Sequence, residues 1–287
     1  LQSSDLAVNR IGGVILFDYD VPAKSPLRNV VSPAQLRSLT GALQQRSAIP
    51  LFVAIDQEGG RVNRLKAKYG FSPSPSQRAL GRLNLFDTTT AAADRTARAL
   101  ADAGITLNFA PVLDLEANPA NPVIAKLERS FSADPVLVTK HGRAMIDAFH
   151  QRGIFCAVKH FPGHGSSAGD THEGFVDVTG SWTRRELEPF GTLIREGRCD
   201  MVMTAHIVNR RLDPVYPSTL SARIITGLLR DSLGFDGVVV SDDLQMKAIT
   251  EHFAFDDAIR LAVLAGVDIL LFGNNAGVFD EQVATKA

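Results

Sequence analysis

The sequence predicts an α/β barrel of the (β/α)8 TIM type, and three observations carry that prediction. Short apolar runs rich in β-branched residues recur along the chain, helical patterns fill most of the gaps, and nearly every run ends on a polar or ionisable residue. Continuous apolar runs that alternate with helices imply a parallel sheet covered on both faces. An open doubly wound sheet needs polar ends only at its switch point, whereas a barrel brings all of them to one mouth.

In chain order the runs are GGVILF, PLFVAI, TLNFAPVL, CAVKHF, DMVMTAHI, GVVVSD and DILLFG. Asp18, Asp56 and Asp114 follow the first three, and His160, His206, Asp242 and Asn274 end or follow the others. TAAADRTARALADAG is periodic at 3.6 residues and stops at Gly104; VLVTKHGRAMIDAFHQRG stops at Gly153. SARIITGLLRDSLG opens on Ser221 as N-cap and turns at Gly234. A closed barrel needs eight strands and seven are visible. The first residue is Leu1 rather than Met, so the first strand is expected to precede it. The reading is one barrel domain over residues 1–287, clipped at both ends, with no linker or composition shift.

Composition narrows the function classes. Hydrophobic residues make up 45% of 287, ample for one large core. A formal net charge of −1 argues against a nucleic-acid surface, and no run reaches the length of a membrane span. Cys156 and Cys199 form no Cys-x-x-Cys pair, so neither a zinc ribbon nor a disulfide framework is indicated. A reducing, cytoplasmic setting is the expectation, with any N-terminal targeting segment out of view. No GxGxxG follows a strand and no Walker-type loop exists, so no nucleotide cofactor is expected. No metal or other cofactor is expected either.

The densest chemistry lies in AVKHFPGHGSSAGDTHEG, residues 157–174, which holds three of the seven histidines. Pro162 and Gly163 break any helix, leaving Lys159 and His160 at a strand end and Asp170 and His172 on a loop beyond it. On extended backbone, side chains at i and i+2 point the same way. A carboxylate beside an imidazole raises its pKa, making Asp170–His172 a candidate general acid/base. A solvated salt bridge, or a metal held by His160, His164 and His172, are the alternatives.

Asp242 and Asp243 follow the apolar run GVVV. Asp243 suits an N-cap for a helix beginning near Leu244, whereas Asp242, one step nearer the strand, suits chemistry. In AIDQEGGRVNRL, Asp56 closes a strand, Gly59 and Gly60 permit a tight turn, and Arg61 and Arg64 follow. Carboxylate and guanidinium at one mouth suit a ligand with many hydroxyls. Arg129 in LERSF and His206 in MTAHI could contact that ligand, or be a solvated arginine and a supporting histidine.

With these residues in hand, the chain resembles the β-N-acetylhexosaminidases of glycoside hydrolase family three. The resemblance runs from GGVILF to LLFGNN and rests on DQEGGRV, NFAPVLD, ERSF, KHFPGHG with a following DTH, MTAHI and SDDL, in the family's order. It implies Asp242 as nucleophile, His172 as acid/base and Asp170 as its partner. It also implies that Asp56, Arg64, Arg129, Lys159 and His160 hold sugar hydroxyls. The implied substrate is a small carbohydrate, an N-acetylglucosamine-containing glycan or muropeptide, cleaved with retention during cell-wall recycling. Ser132-Ala133 after ERSF and Asn209-Arg210-Arg211 after TAHIV depart from the family pattern. The competing readings are a β-glucosidase or phosphorylase of the same family, a non-catalytic sugar-binding barrel and a metal-dependent barrel hydrolase. Oligomeric state has no signature in the sequence.

Overall fold

The computed structural model describes residues 11–275 and 279–287. Its strands are β1 (Gly13–Leu16), β2 (Phe52–Ile55), β3 (Leu107–Asn108), β4 (Phe155–Phe161), β5 (Val176–Asp177), β6 (Met201–Thr204), β7 (Ile207–Val208) and β8 (Val238–Val240). Six of them form one sheet in the order β1-β2-β3-β4-β6-β8, and every pairing in it is parallel. Ile269, from the last predicted run, bridges in parallel to Val240 and continues the order.

Side-chain alternation along these strands builds two separate cores. Leu16, Val53, Ile55, Cys156, Val158, Val202 and Val239 pack outward into the larger cluster with the helices. Their in-between neighbours Ala54, Leu107, Ala157, Met201, Met203 and Val240 pack into a second cluster, which Ile15 and Leu271 also join. Alternate residues of a strand point to opposite faces, so the second cluster lies on the opposite face of the same sheet. Strands at the two ends of the order share it, which requires the sheet to curl. The result is a curled parallel α/β sheet, an open arc among the described residues. The strand expected before Leu1 lies outside them, and so does closure into an eight-stranded barrel.

The helices start and stop where local chemistry dictates. Asp134 caps Pro135–His150 through a 2.9 Å bond from Val136 N, with Pro135 in the first turn where no donor is lost. Gly153 then turns the chain at φ 70°. Phe86–Asp102 starts four residues before the predicted periodic stretch, with Gly104 following at φ 71°. Ser221 lies one residue before the cap position, which Ala222 takes, and its Oγ accepts from Ile224 N at 3.1 Å in the first turn of the helix. That helix, Arg223–Ser232, is wound with wide i→i+5 turns, for which the sequence carries no signal.

One predicted run divides. DMVMTAHI yields β6, a break at Ala205 and His206, and then β7, which pairs with β5 in a small parallel ribbon. This ribbon ties the chain just after His172 to the strand end beyond β6. It went unpredicted because each arm is two residues long.

Candidate active site

A cavity of about 230 Å³ opens at the C-terminal ends of the strands. Asp56, Arg64, Arg129, Lys159, His160, Asp170, His172 and Asp242 all line it. The structure therefore gathers these eight into one place, whereas His206, the other histidine considered for ligand contact, is fully buried and does not line the cavity.

Its floor is a buried charge cluster. Gly59 and Gly60 turn the chain after β2 at φ 98° and 59°. A Cβ at Gly59 would lie 2.2 Å from the Pro75 carbonyl oxygen, so only glycine fits. Gln57 Oε1 closes the turn by accepting from Arg64 N and Leu65 N at 3.0 and 2.9 Å. Lys159, with 2% of its side chain exposed, bridges Asp56 Oδ1 and Glu58 Oε1 at 2.7 Å each. Arg129 grips Glu58 bidentately at 2.8 and 2.8 Å. Arg64 reaches Asp56 Oδ2 at 3.6 Å and packs its guanidinium over Phe17.

Burial pushes the carboxyls of Asp56 and Glu58 up, but the cations outweigh it: Lys159 and Arg64 hold Asp56, and Arg129 and Lys159 hold Glu58, below the usual range. Burial opposes the charge on Lys159, and Asp56 and Glu58 reverse that, holding its ammonium above the ordinary lysine value. The cluster is thus fully ionised, with a third ammonium proton on Lys159 and the Asp56 Oδ2 lone pairs left for hydroxyl groups.

His160 is fixed in one tautomer. Arg129 Nη2 lies 3.1 Å from His160 Nε2, and a guanidinium can only donate. Nε2 therefore accepts, and Nδ1 carries the proton that it donates to Asp114 Oδ2 at 2.6 Å. Burial, then Arg129 and Lys159, hold this imidazole neutral, well below its ordinary pKa. Asp114 also accepts from the backbone N–H of His160 and His164 at 3.2 and 2.7 Å, shaping the Phe161–Gly165 turn.

Asp170 and His172 meet differently from the sequence expectation. Glu173 N bonds Asp170 O at 3.0 Å, so the pair sits in a tight turn rather than on extended backbone. Asp170 Oδ1 accepts from both His172 N and His172 Nδ1, at 2.8 and 2.7 Å. The bond to Asp170 raises the His172 pKa above its ordinary value against the opposing effect of burial, with Asp242 adding to the rise. The His172 side chain is 65% exposed, and Nε2 has no protein partner among the described residues.

Asp242 follows β8 and accepts from Asp243 N at Oδ1, 2.8 Å, leaving Oδ2 without a protein partner among the described residues. Burial raises its pKa, but His206, His160 and His172 outweigh it and hold the carboxyl below the usual range. Asp243 has the opposite character. Its Oδ1 accepts from Gln245 N and Gly273 N at 3.0 Å each, and burial raises its pKa. The expected N-cap is corrected: Asp243 closes a turn, and the helix after it begins at Lys247 with Met246 as its cap residue.

The alternative metal trio is not brought together: among the described residues, His160, His164 and His172 do not have ligand-like spacing. His160 bonds Asp114, His164 Nδ1 lies 2.8 Å from Ser167 Oγ, and His172 bonds Asp170. Among the described residues His150, Cys156 and Asp200 have ligand-like spacing, at the opposite ends of β4 and β6. There Asp200 Oδ2 accepts from His150 Nε2 and Cys156 N at 2.7 and 2.9 Å, which accounts for the grouping. Glu58 was missed by sequence reasoning, although its place directly before Gly59-Gly60 was a usable signal. Arg61, in contrast, is exposed and does not line the cavity.

Residues 2–285 match the family model described as the glycosyl hydrolase family 3 N terminal domain. The chain belongs to that family. Beta-hexosaminidase A of Pseudoalteromonas piscicida is 39% identical over 285 residues, covering 91% of this chain. A glycoside hydrolase family 3 β-N-acetylglucosaminidase from Paenibacillus superposes with a TM-score of 0.86 at 38% identity over 95% of the chain. NagZ from Neisseria gonorrhoeae, in complex with N-trifluoroacetyl-D-glucosamine, gives 0.81 at 31% identity, covering 94% of this chain and 76% of that one. The chain spans 45% of the Pseudoalteromonas protein and 51% of the Paenibacillus one.

Proposed function

We propose that this chain carries a retaining exo-β-N-acetylglucosaminidase site, releasing terminal β-linked N-acetylglucosamine. The observation that carries the reading is the pairing within one cavity of an ionised Asp242, one oxygen free, with a His172–Asp170 dyad whose Nε2 is free. The hexosaminidase names of its relatives and the glucosamine ligand of the Neisseria structure support the sugar. A muropeptide source for that sugar rests on the family resemblance, and closure into a full barrel by chain outside the described residues completes the proposal.

Asp56, Lys159, Arg129 and Arg64 would hold the sugar hydroxyls, and His160, both ring nitrogens committed, would keep Arg129 in place beside them. Asp242 Oδ2 attacks the anomeric carbon as the glycosidic C–O bond breaks, and the proton on His172 Nε2 goes to the departing oxygen. The neutral imidazole then takes a proton from water, whose oxygen attacks the anomeric carbon and displaces Asp242. Two inversions give net retention. The second carboxylic acid usual in retaining glycosidases is here an imidazole, whose pKa the bond to Asp170 raises, which suits it to give the proton first and take one back later.

The test is His172→Ala with two leaving groups. General acid help is worth ~10²–10⁴-fold and is needed most by a basic leaving oxygen. A natural disaccharide should lose that factor, whereas a dinitrophenyl glycoside should form the glycosyl-enzyme readily and show a burst. Azide should then restore turnover of the activated substrate. Equal losses on both substrates would sink the acid/base assignment.

A further inference from the structure

Thr204, His206 and Thr219 are fully buried behind Asp242 and have no part in the chemistry above. We propose that Thr219 is a positioning residue for Asp242, acting through a one-directional chain of hydrogen bonds that closes on the Asp242–Asp243 segment from both sides. The inference rests on the reading of Asp242 as nucleophile.

The direction of the chain follows from atoms that have no choice. His206 Nε2 lies 3.0 Å from the Asp243 carbonyl oxygen, which can only accept, so Nε2 carries a proton and donates it. Burial holds the His206 pKa below its ordinary value, so the ring is neutral and Nδ1 is a bare lone pair. Thr219 Oγ1 lies 2.7 Å from that lone pair and must donate to it. The Thr219 oxygen then accepts the Thr204 hydroxyl at 2.8 Å. Thr204 Oγ1, its proton committed, accepts the backbone N–H of Asp242 at 3.4 Å.

The chain therefore runs Asp242 N–H to Thr204 to Thr219 to His206 to Asp243 C=O. It pins the backbone groups on both sides of the peptide joining Asp242 to Asp243. The N–H of that peptide is the one donated to Asp242 Oδ1 at 2.8 Å, so its tilt aims the carboxylate. Thr219 is the member that joins the two halves. It is set by the turn Ser218–Leu220, itself tied to β7 through Ser218 Oγ and the Ile207 carbonyl at 3.0 Å. The Ala205 carbonyl, 3.0 Å from Thr219 Oγ1, is the competing acceptor. The hydroxyl can turn to it only if Nδ1 is itself protonated.

The experiment compares Thr219→Val, which keeps shape and removes the hydroxyl, with Thr219→Ser, which keeps the hydroxyl. With 4-nitrophenyl N-acetyl-β-glucosaminide, Thr219→Val should lose about tenfold in kcat at unchanged KM, the size expected when one buried hydrogen bond goes missing. Thr219→Ser should recover most of that loss. Separately, ¹⁵N spectra of the histidine rings in the unmutated chain should show His206 as the neutral Nε2–H tautomer with Nδ1 hydrogen-bonded. A wild-type kcat in Thr219→Val, or a Thr219→Ser as slow as it, would overturn the proposal by assigning the site to packing. An imidazolium or an Nδ1–H tautomer would overturn it without any activity measurement. Absence of hexosaminidase turnover in the unmutated chain would instead remove the functional reading, leaving the tautomer to decide the hydrogen-bond chain. That spectrum also decides the matter if Thr219→Val fails to fold.

Discussion

Replacing Glu58 by Gln tests the charge cluster most directly. The substitution keeps volume and one carbonyl oxygen while removing a negative charge that holds two buried cations. Three short contacts are at stake, from Arg129 Nε and Nη2 at 2.8 Å each and from Lys159 at 2.7 Å. The Glu58 side chain is 1% exposed and that of Lys159 is 2%, so water cannot take over. Removing one partner of a buried ion pair costs ~3–5 kcal/mol, because the other is left uncompensated. Glutamine keeps an acceptor and Asp56 still pairs with Lys159, which places the expected loss near the low end, about 3 kcal/mol. At roughly 2–4 °C per kcal/mol for a chain of this size, the melting temperature should fall by about 6–12 °C.

The pH dependence has a definite sign. Glu58 and Asp56 both have folded pKa values below their ordinary ones. Each therefore contributes stability that is present above its unfolded pKa and lost as pH falls through the folded one. Glu58→Gln removes one of these groups, so the gap between variant and wild type should narrow as pH falls below about 4. Urea unfolding at neutral pH and at successive acid pH values reads both effects. A neutral-pH loss under about 1 kcal/mol, or a gap that widens in acid, would refute the reasoning.

Three further outcomes are expected. A fluorinated slow substrate should label the SDDL peptide at Asp242, and Asp242→Ala should be folded and nearly inactive; labelling at Asp243 would overturn the choice of nucleophile. Because the bond to Asp170 is the largest cause of the raised His172 pKa, Asp170→Asn should move the alkaline limb of kcat/KM to lower pH, and an unmoved limb would detach Asp170 from that role. Glu186 holds the Gly165 and Ser166 amides at 3.0 and 3.3 Å, and burial pushes its carboxyl up to about 7. Its folded pKa exceeds the unfolded one, so wild-type stability should decline by up to ~3 kcal/mol as pH rises from about 4.5 through 7. Glu186→Gln should flatten that decline, and urea midpoints with the same pH slope in both proteins would count against it.

What the sequence by itself determined is local. Apolar runs announced the parallel strands, and a polar residue at each end placed Asp56, Lys159, His160 and Asp242 at one mouth. Gly59-Gly60 and Pro162-Gly163 announced turns, because no other residues tolerate those backbones at low cost. The tertiary structure decided what depends on distance between strands rather than along them. Glu58 became the centre of the charge cluster only when β4 and the Arg129 loop came to lie beside β2. The β5–β7 ribbon is too short to show any period, and it exists because the curled sheet brings two strand-end loops together. Thr219, fifteen residues beyond Thr204, met its partners for the same reason. Even Asp170–His172, adjacent enough to be read as a pair, met by a turn rather than by strand alternation. Hydrophobic period and turn chemistry act over a few residues and are written in order along the chain. Curvature, burial and the pKa values they produce are properties of the packed sheet, and appear only when it curls around the side chains it carries.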